Sequence, residues 1–173
     1  GGPFTALALL ACGFPVGAHA LNLLATTTGT VPGDMLGSTV VEAGDLNADG
    51  RRDYAIAATS SDVGGNGSGS VYIFLGTHPP NGVPELTVHG EPGDLLGSAL
   101  AAAGDVNGDG YDDLAIGSWR NGAQGVEAGK VLILCGGNPP NAIPDFTLFG
   151  PAAGARFGRA LAGGADLNAD GMA

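Results

Sequence analysis

Apolar and polar positions along this chain fall into short bursts rather than long periodic stretches. Two bursts are strongly apolar, Val71-Tyr72-Ile73-Phe74-Leu75 and Val131-Leu132-Ile133-Leu134, and each follows a glycine-rich segment, residues 60–69 and 118–129. Short apolar runs rich in β-branched and aromatic residues, bounded by Gly, Asn and Ser, predict strands joined by hairpins. The same reading gives strands at Tyr54 to Ala58, Leu114 to Gly117, Glu85 to Val88 and Asp145 to Leu148, with a further candidate at Leu23 to Thr28. Thr39 to Ala43, Ala99 to Ala103 and Ala160 to Gly164 are built mostly of small side chains, which suit an innermost strand crowded near an axis. No stretch sustains a helical period.

These elements repeat. Glu91-Pro92-Gly93-Asp94-Leu95-Leu96-Gly97-Ser98 nearly duplicates Val31-Pro32-Gly33-Asp34-Met35-Leu36-Gly37-Ser38, and Ala152 to Arg159 is a looser third version. The connection Thr77 to Pro84 is matched by Gly137 to Pro144. Four antiparallel strands in about sixty residues, repeated, predict the blades of a β-propeller. A single four-stranded sheet cannot bury both of its faces, so each blade needs neighbours, and propellers close with roughly four to eight. The expected fold is therefore all-β, with about two and a half blades and no closed ring. The period divides the chain into residues 21–79, 80–139 and 140–173, the last being the start of a third blade.

Residues 1–20 carry an uncharged apolar stretch, Phe4 to Val16, which Pro15 breaks, and then the A-x-A pattern Ala18-His19-Ala20. This resembles a signal peptide that lacks its basic region. A buried first strand or helix, or a lipoprotein signal around Cys12, is the alternative. The expectation is a secreted or surface protein with no membrane insertion after signal removal. The remaining cysteine, Cys135, closes an apolar run and reads as a buried thiol.

Composition agrees with many short strands and tight turns: 33 Gly and 11 Pro stand beside 44% hydrophobic residues. The formal net charge is −11 with only six Lys and Arg, which excludes a nucleic-acid or anionic-membrane partner. Much of the acidity is concentrated in three loops. Asp105-Val106-Asn107-Gly108-Asp109-Gly110-Tyr111-Asp112-Asp113 places side-chain oxygens at positions 1, 3, 5 and 9, with Gly at position 6. Asp45 to Asp53 repeats this sixty residues earlier, and Asp166-Leu167-Asn168-Ala169-Asp170-Gly171 begins it again. Hard cations such as Ca2+ take six to eight oxygen ligands, and alternate side chains of a loop can converge to supply them. EF-hand and dockerin loops are excluded, because position 12 is Ile56 or Ile116 within a strand-like run. A metal-free, Asx-rich hairpin is the bland alternative.

D-x-N-x-D-G-x-x-D at sixty-residue spacing resembles the FG-GAP repeat family, found in the seven-bladed propeller of integrin alpha subunits and in many secreted bacterial proteins. The resemblance covers residues 21–173. It implies calcium held by Asp45, Asn47, Asp49 and Asp53, and by Asp105, Asn107, Asp109 and Asp113. Arg51 and Tyr111, at position 7, would offer backbone carbonyls, and Asp166, Asn168 and Asp170 would begin a third site. The naming motif varies: Leu36-Gly37 and Leu96-Gly97 replace Phe-Gly, which appears only as Phe157-Gly158, and Ala57-Ala58-Thr59 and Gly117-Ser118-Trp119 stand where the family has Gly-Ala-Pro. The chain looks like a bacterial secreted or surface member.

Chemistry beyond these ligands is sparse. His78 and His89 read as solvated loop histidines, and Gly65-Asn66-Gly67-Ser68-Gly69 lacks the strand–helix context and lysine of a phosphate cradle. No G-x-S-x-G elbow or H-E-x-x-H is present, so the chain is not expected to be an enzyme. Trp119-Arg120, in the second long hairpin, is the candidate for ligand contact, since an aromatic beside a guanidinium is typical of recognition surfaces. The expected function is a calcium-stabilised scaffold for adhesion or recognition of an extracellular protein or glycan. The alternative is the non-catalytic part of a secreted hydrolase or polysaccharide lyase.

Overall fold

A computed structural model describes residues 31–76 and 82–164, with the backbone of 5–6 and 27–28. Its strands are β1 (Thr5–Ala6), β2 (Thr27–Thr28), β3 (Leu36–Gly44), β4 (Asp53–Ala58), β5 (Ser70–Phe74), β6 (Leu86–His89), β7 (Ala99–Gly104), β8 (Asp113–Ser118), β9 (Lys130–Leu134) and β10 (Phe146–Phe149). β1 and β2 pair with each other. The other eight form two antiparallel four-stranded sheets in sequential order, β3-β4-β5-β6 and β7-β8-β9-β10. They are two propeller blades, side by side and unclosed.

Pairing moves the blade boundaries. Leu86–His89 hydrogen-bonds to β5 and Phe146–Phe149 to β9, so the first sheet runs past residue 79 to residue 89 and the second past residue 139 to residue 149. The sixty-residue period gives the length of a unit but leaves its phase open, and only the hydrogen-bonded ladder fixes where one sheet ends. The third small-residue strand is a second correction: residues 160–164 are irregular. A strand exists only as part of a ladder, and this segment has no partner strand among the described residues. Residues 1–20 beyond Thr5–Ala6 lie outside the described residues, as do His78 and Leu23 to Thr26. His89 ends β6, with Nδ1 2.9 Å from Ser70 Oγ, so it is a strand residue rather than a loop one.

The two blades share one core. From the first, Ala55, Ala57, Val71, Ile73 and Val88 face the second, which answers with Leu100, Leu114, Ile116, Leu132 and Leu134. Strand alternation assigns these sets to single faces, and small residues opposite large ones let the sheets interleave closely. The far face of the second blade presents another small-residue set, Ala101, Ala103, Ala115 and Val131. Cys135 is buried, and burial pushes its thiol up to about 12, which makes it the inert group expected.

The connection between blades acts as a staple. Leu96, fully enclosed, enters the shared core, and its N–H donates to Ser68 O at 2.9 Å. Gly97 (φ +83°) follows, so close to the first blade that a Cβ there would fall 2.6 Å from that of Ala57. The next junction repeats the backbone contacts, with Phe157 N donating to Ala128 O at 3.0 Å and Gly158 against Val131 and Gly117, but the Phe157 side chain is exposed.

Candidate metal centre

Each long acidic loop joins the two inner strands of a blade, β3 to β4 and β7 to β8. Gly44 and Gly104, at register shifts in the ladder, carry φ of +91° and +75° and turn the chain out of the strand. Position 6 (Gly50, Gly110) has φ +83° and +91° with open space around it, so here glycine is needed for the backbone turn alone.

The side chains of positions 1, 3 and 5 fold over their own backbone. Asp45 accepts from Asp49 N (3.0 Å) and Gly50 N (2.8 Å), Asn47 Oδ1 from Asp49 N (3.2 Å), and Asp49 Oδ1 from Arg51 N (2.9 Å). The second loop repeats this: Asp105 accepts from Asp109 N (3.1 Å) and Gly110 N (2.9 Å), Asn107 from Asp109 N (3.0 Å), and Asp109 from Tyr111 N (3.0 Å). The Arg51 side chain also reaches back over the loop, its Nη1 lying 3.5 Å from Asp49 Oδ2.

Position 9 is different in kind. Asp53 and Asp113 are completely enclosed. Asp53 accepts from Leu46 N and Gly76 N, both at 2.7 Å, and Asp113 from Val106 N (2.8 Å) and Gly136 N (2.9 Å). Each carboxylate thus clamps the start of its loop to the chain leaving the third strand of its blade. Burial pushes Asp53 up to about 6 against those two hydrogen bonds, and the charges of Asp45 and Asp49 push the same way. Asp113 is raised for the same reasons, burial first.

The donor set suits a hard cation, being wholly oxygen and rich in carboxylate. Its arrangement is open: among the described residues, no three Asp, Glu, His or Cys side chains form a closed metal cluster. Asp166, Asn168 and Asp170 lie outside the described residues.

Asp112, at position 8, has a role that the loop pattern alone does not reveal. Its Oδ2 accepts from Asp45 N at 2.7 Å and lies 3.8 Å from Arg52 Nη1, and its own N–H donates to Asp45 O at 3.2 Å. Gly137 N adds a bond to Leu46 O at 2.8 Å. The two acidic loops are therefore stitched side by side along one rim. The available clue was position 8 itself, where Arg52 and Asp112 carry opposite charges.

Trp119 and Arg120 follow the last residue of β8, at the end of that strand remote from its acidic loop. Six residues of strand separate the two ends, roughly 17–20 Å at about 3.3 Å per residue.

Neighbouring blades of this construction, with an oxygen-rich loop between the two inner strands of each, define a β-propeller protein. Residues 38–74 and 96–134 match the FG-GAP repeat, and the chain is an FG-GAP repeat protein. It is 36% identical over 113 residues to integrin alpha-3 of Cricetulus griseus, covering 61% of this chain and 10% of that protein. It is also 36% identical over 104 residues to integrin alpha-PS5 of Drosophila melanogaster, covering 56% and 9%. A longer match, 165 residues at 31% identity, is to integrin alpha-E of Mus musculus, covering 83% of this chain and 14% of that protein. The chain spans about a tenth of the length of these relatives.

Proposed function

We propose that this chain is part of an extracellular recognition or adhesion scaffold whose blades are tied together by calcium, and that it performs no chemistry itself. The observation that carries the calcium reading is the repeated pairing of an all-oxygen loop with an enclosed carboxylate at position 9. Burial disfavours the charge on Asp53 and Asp113, and a bound cation would supply the counter-charge that keeps them ionised. Asp45, Asn47, Asp49, Asp53 and the Arg51 carbonyl would hold one ion, and Asp105, Asn107, Asp109, Asp113 and the Tyr111 carbonyl a second. Asp166, Asn168 and Asp170 would contribute to a third. With three carboxylates per complete loop, affinity is expected around 10⁻⁴ to 10⁻³ M, the range of extracellular modules. Such sites fill only where calcium is millimolar, which fits a secreted or surface location. Similarity to integrin alpha chains supports recognition of an extracellular partner.

Calcium titration by calorimetry, with melting followed in calcium and in chelator, tests this reading. At least two bound ions are expected, with a melting temperature that falls in chelator. Asp49→Ala with Asp109→Ala should abolish binding at both loops. A folded chain that takes up no calcium at millimolar concentration would reduce the loops to Asx-rich turns.

A further inference from the structure

The remaining chemistry of the molecule gathers around Trp119. The guanidinium carbons of Arg156, Arg120 and Arg159 stand 5.4, 5.8 and 6.0 Å from the centre of its indole ring. These three are half of the six basic residues in a chain of net charge −11. Arg156 is paired, its Nε and Nη2 donating to Glu127 Oε2 at 2.9 and 2.8 Å. Arg120 and Arg159 are exposed, and among the described residues neither has a carboxylate within ion-pair distance. An exposed cation–π contact is weak, and three like charges around one ring repel one another. Two arginines without acids among the described residues, on a strongly acidic chain, leave guanidinium donors open to an anion.

The fold does not require this cluster. The preceding junction has the same backbone: Leu95 (φ +51°) matches Arg156 (φ +51°). Leu95 N donates to Gly67 O as Arg156 N donates to Glu127 O, and Ser98 N to Leu95 O as Arg159 N to Arg156 O. Thr59 and Ser60 occupy the places of Trp119 and Arg120. The four equivalent positions are thus Thr, Ser, Leu and Ser at one junction and Trp, Arg, Arg and Arg at the next.

We propose that Trp119, Arg120, Arg156 and Arg159 form a binding site for an acidic peptide segment of a protein partner, its carboxylates taken by the unpaired guanidinium forks. This rests on the recognition-scaffold reading and names its ligand class. Glu127 on Arg156 shows the interaction that a partner's side chain would repeat, and the guanidinium fork is matched to a planar carboxylate. A sugar stacking on the indole would have to compete with guanidinium groups within 6.0 Å of its centre, which favours peptide over glycan.

Trp119 is the only tryptophan, so its emission reports the site directly. The 173-residue chain would be titrated with a glutamate-rich peptide, a lysine-rich peptide of equal length, a sulfated oligosaccharide and inorganic phosphate. The glutamate-rich peptide should change the emission saturably, the lysine-rich one not at all, and added salt should weaken binding. Arg120→Ser with Arg159→Ser should weaken it about tenfold or more while leaving the melting temperature in place, since both side chains are exposed. Silence towards the acidic peptide up to millimolar concentration overturns the proposal. So does equal binding by the double variant, or tighter binding of the sulfated oligosaccharide or phosphate than of the peptide. The calcium titration does not involve these side chains, so failure here and failure of the calcium-tied scaffold are separate results.

Discussion

Four glycines measure how firmly each blade holds the connection that leaves it. Gly93 and Gly97 carry nearly the same φ, +85° and +83°, in the connection between β6 and β7. A Cβ on Gly93 meets nothing within 4 Å, whereas one on Gly97 would lie 2.6 Å from Ala57 Cβ and 2.9 Å from Val71 Cγ2. Any L side chain in the left-handed region costs about 1–2 kcal/mol, and overpacking a filled core adds about 1–3 kcal/mol. Gly93→Ala should therefore cost about 1–2 kcal/mol and Gly97→Ala about 2–5 kcal/mol. The backbone contribution is common to both, so the difference isolates the inter-blade contact. The second junction repeats the design, with Gly154 (φ +76°) in open space and Gly158 (φ +77°) 2.9 Å from Val131 Cγ2. Urea unfolding at fixed calcium gives the four costs, with m-values compared to confirm that only stability has changed. Gly158→Ala should also alter Trp119 emission, because it shifts the segment bearing Arg156 and Arg159, while Gly154→Ala should not. Equal costs for Gly93→Ala and Gly97→Ala would refute the staple.

Two further outcomes follow from buried charge. Lys130 Nζ lies 2.7 Å from Asp94 Oδ2, with the residues 7% and 2% exposed, and Asn121 Nδ2 donates to the other Asp94 oxygen at 2.8 Å. Lys130→Met strands that carboxylate and should cost about 3–5 kcal/mol in urea unfolding, with Asp94→Asn in the same chain recovering much of it. In chelator, Asp53 predicts a pH dependence. Its folded value of about 6 lies above the ordinary 3.8, so between these values the folded chain binds more protons than the unfolded one. The contribution is then present at low pH, falls as pH rises through this window, and is flat above it. A melting temperature contributed by Asp53 that rises across this window, judged against Asp53→Asn, would contradict the burial argument.

The blades were legible because their signals are local. Val71 to Leu75 and Val131 to Leu134 are continuous apolar runs, and D-x-N-x-D-G-x-x-D sits between two of the strands it joins. The phase of the blades was not legible, since assigning Leu86–His89 to the first sheet depends on its hydrogen bonds to β5. The enclosure of Asp53 and Asp113 was equally hidden, because it depends on Gly76 and Gly136, 23 residues further along the chain in each blade. The arginines around Trp119 were half legible: Arg120 is its neighbour, but Arg156 and Arg159 come from the connection beyond β10.

The repeat separates what the fold requires from what this chain adds. Positions equal in both blades hold the architecture: Asp53 and Asp113 make the same two backbone bonds, and Gly93 and Gly154 the same turn. Positions that differ fall into two kinds. Arg52 and Asp112 occupy the same place in successive loops with opposite charge, and they find each other at 3.8 Å. Ser70 becomes Lys130, which finds Asp94. Those differences are consumed within the chain, where unequal neighbours pair only in the order in which they stand. Thr59, Ser60 and Ser98 become Trp119, Arg120 and Arg159, and among the described residues these two arginines find only the indole. This departure from the repeat creates charge that faces solvent among the described residues. Among the described residues no carboxylate answers it, which is why the proposed acidic-peptide binding turns on Arg120 and Arg159.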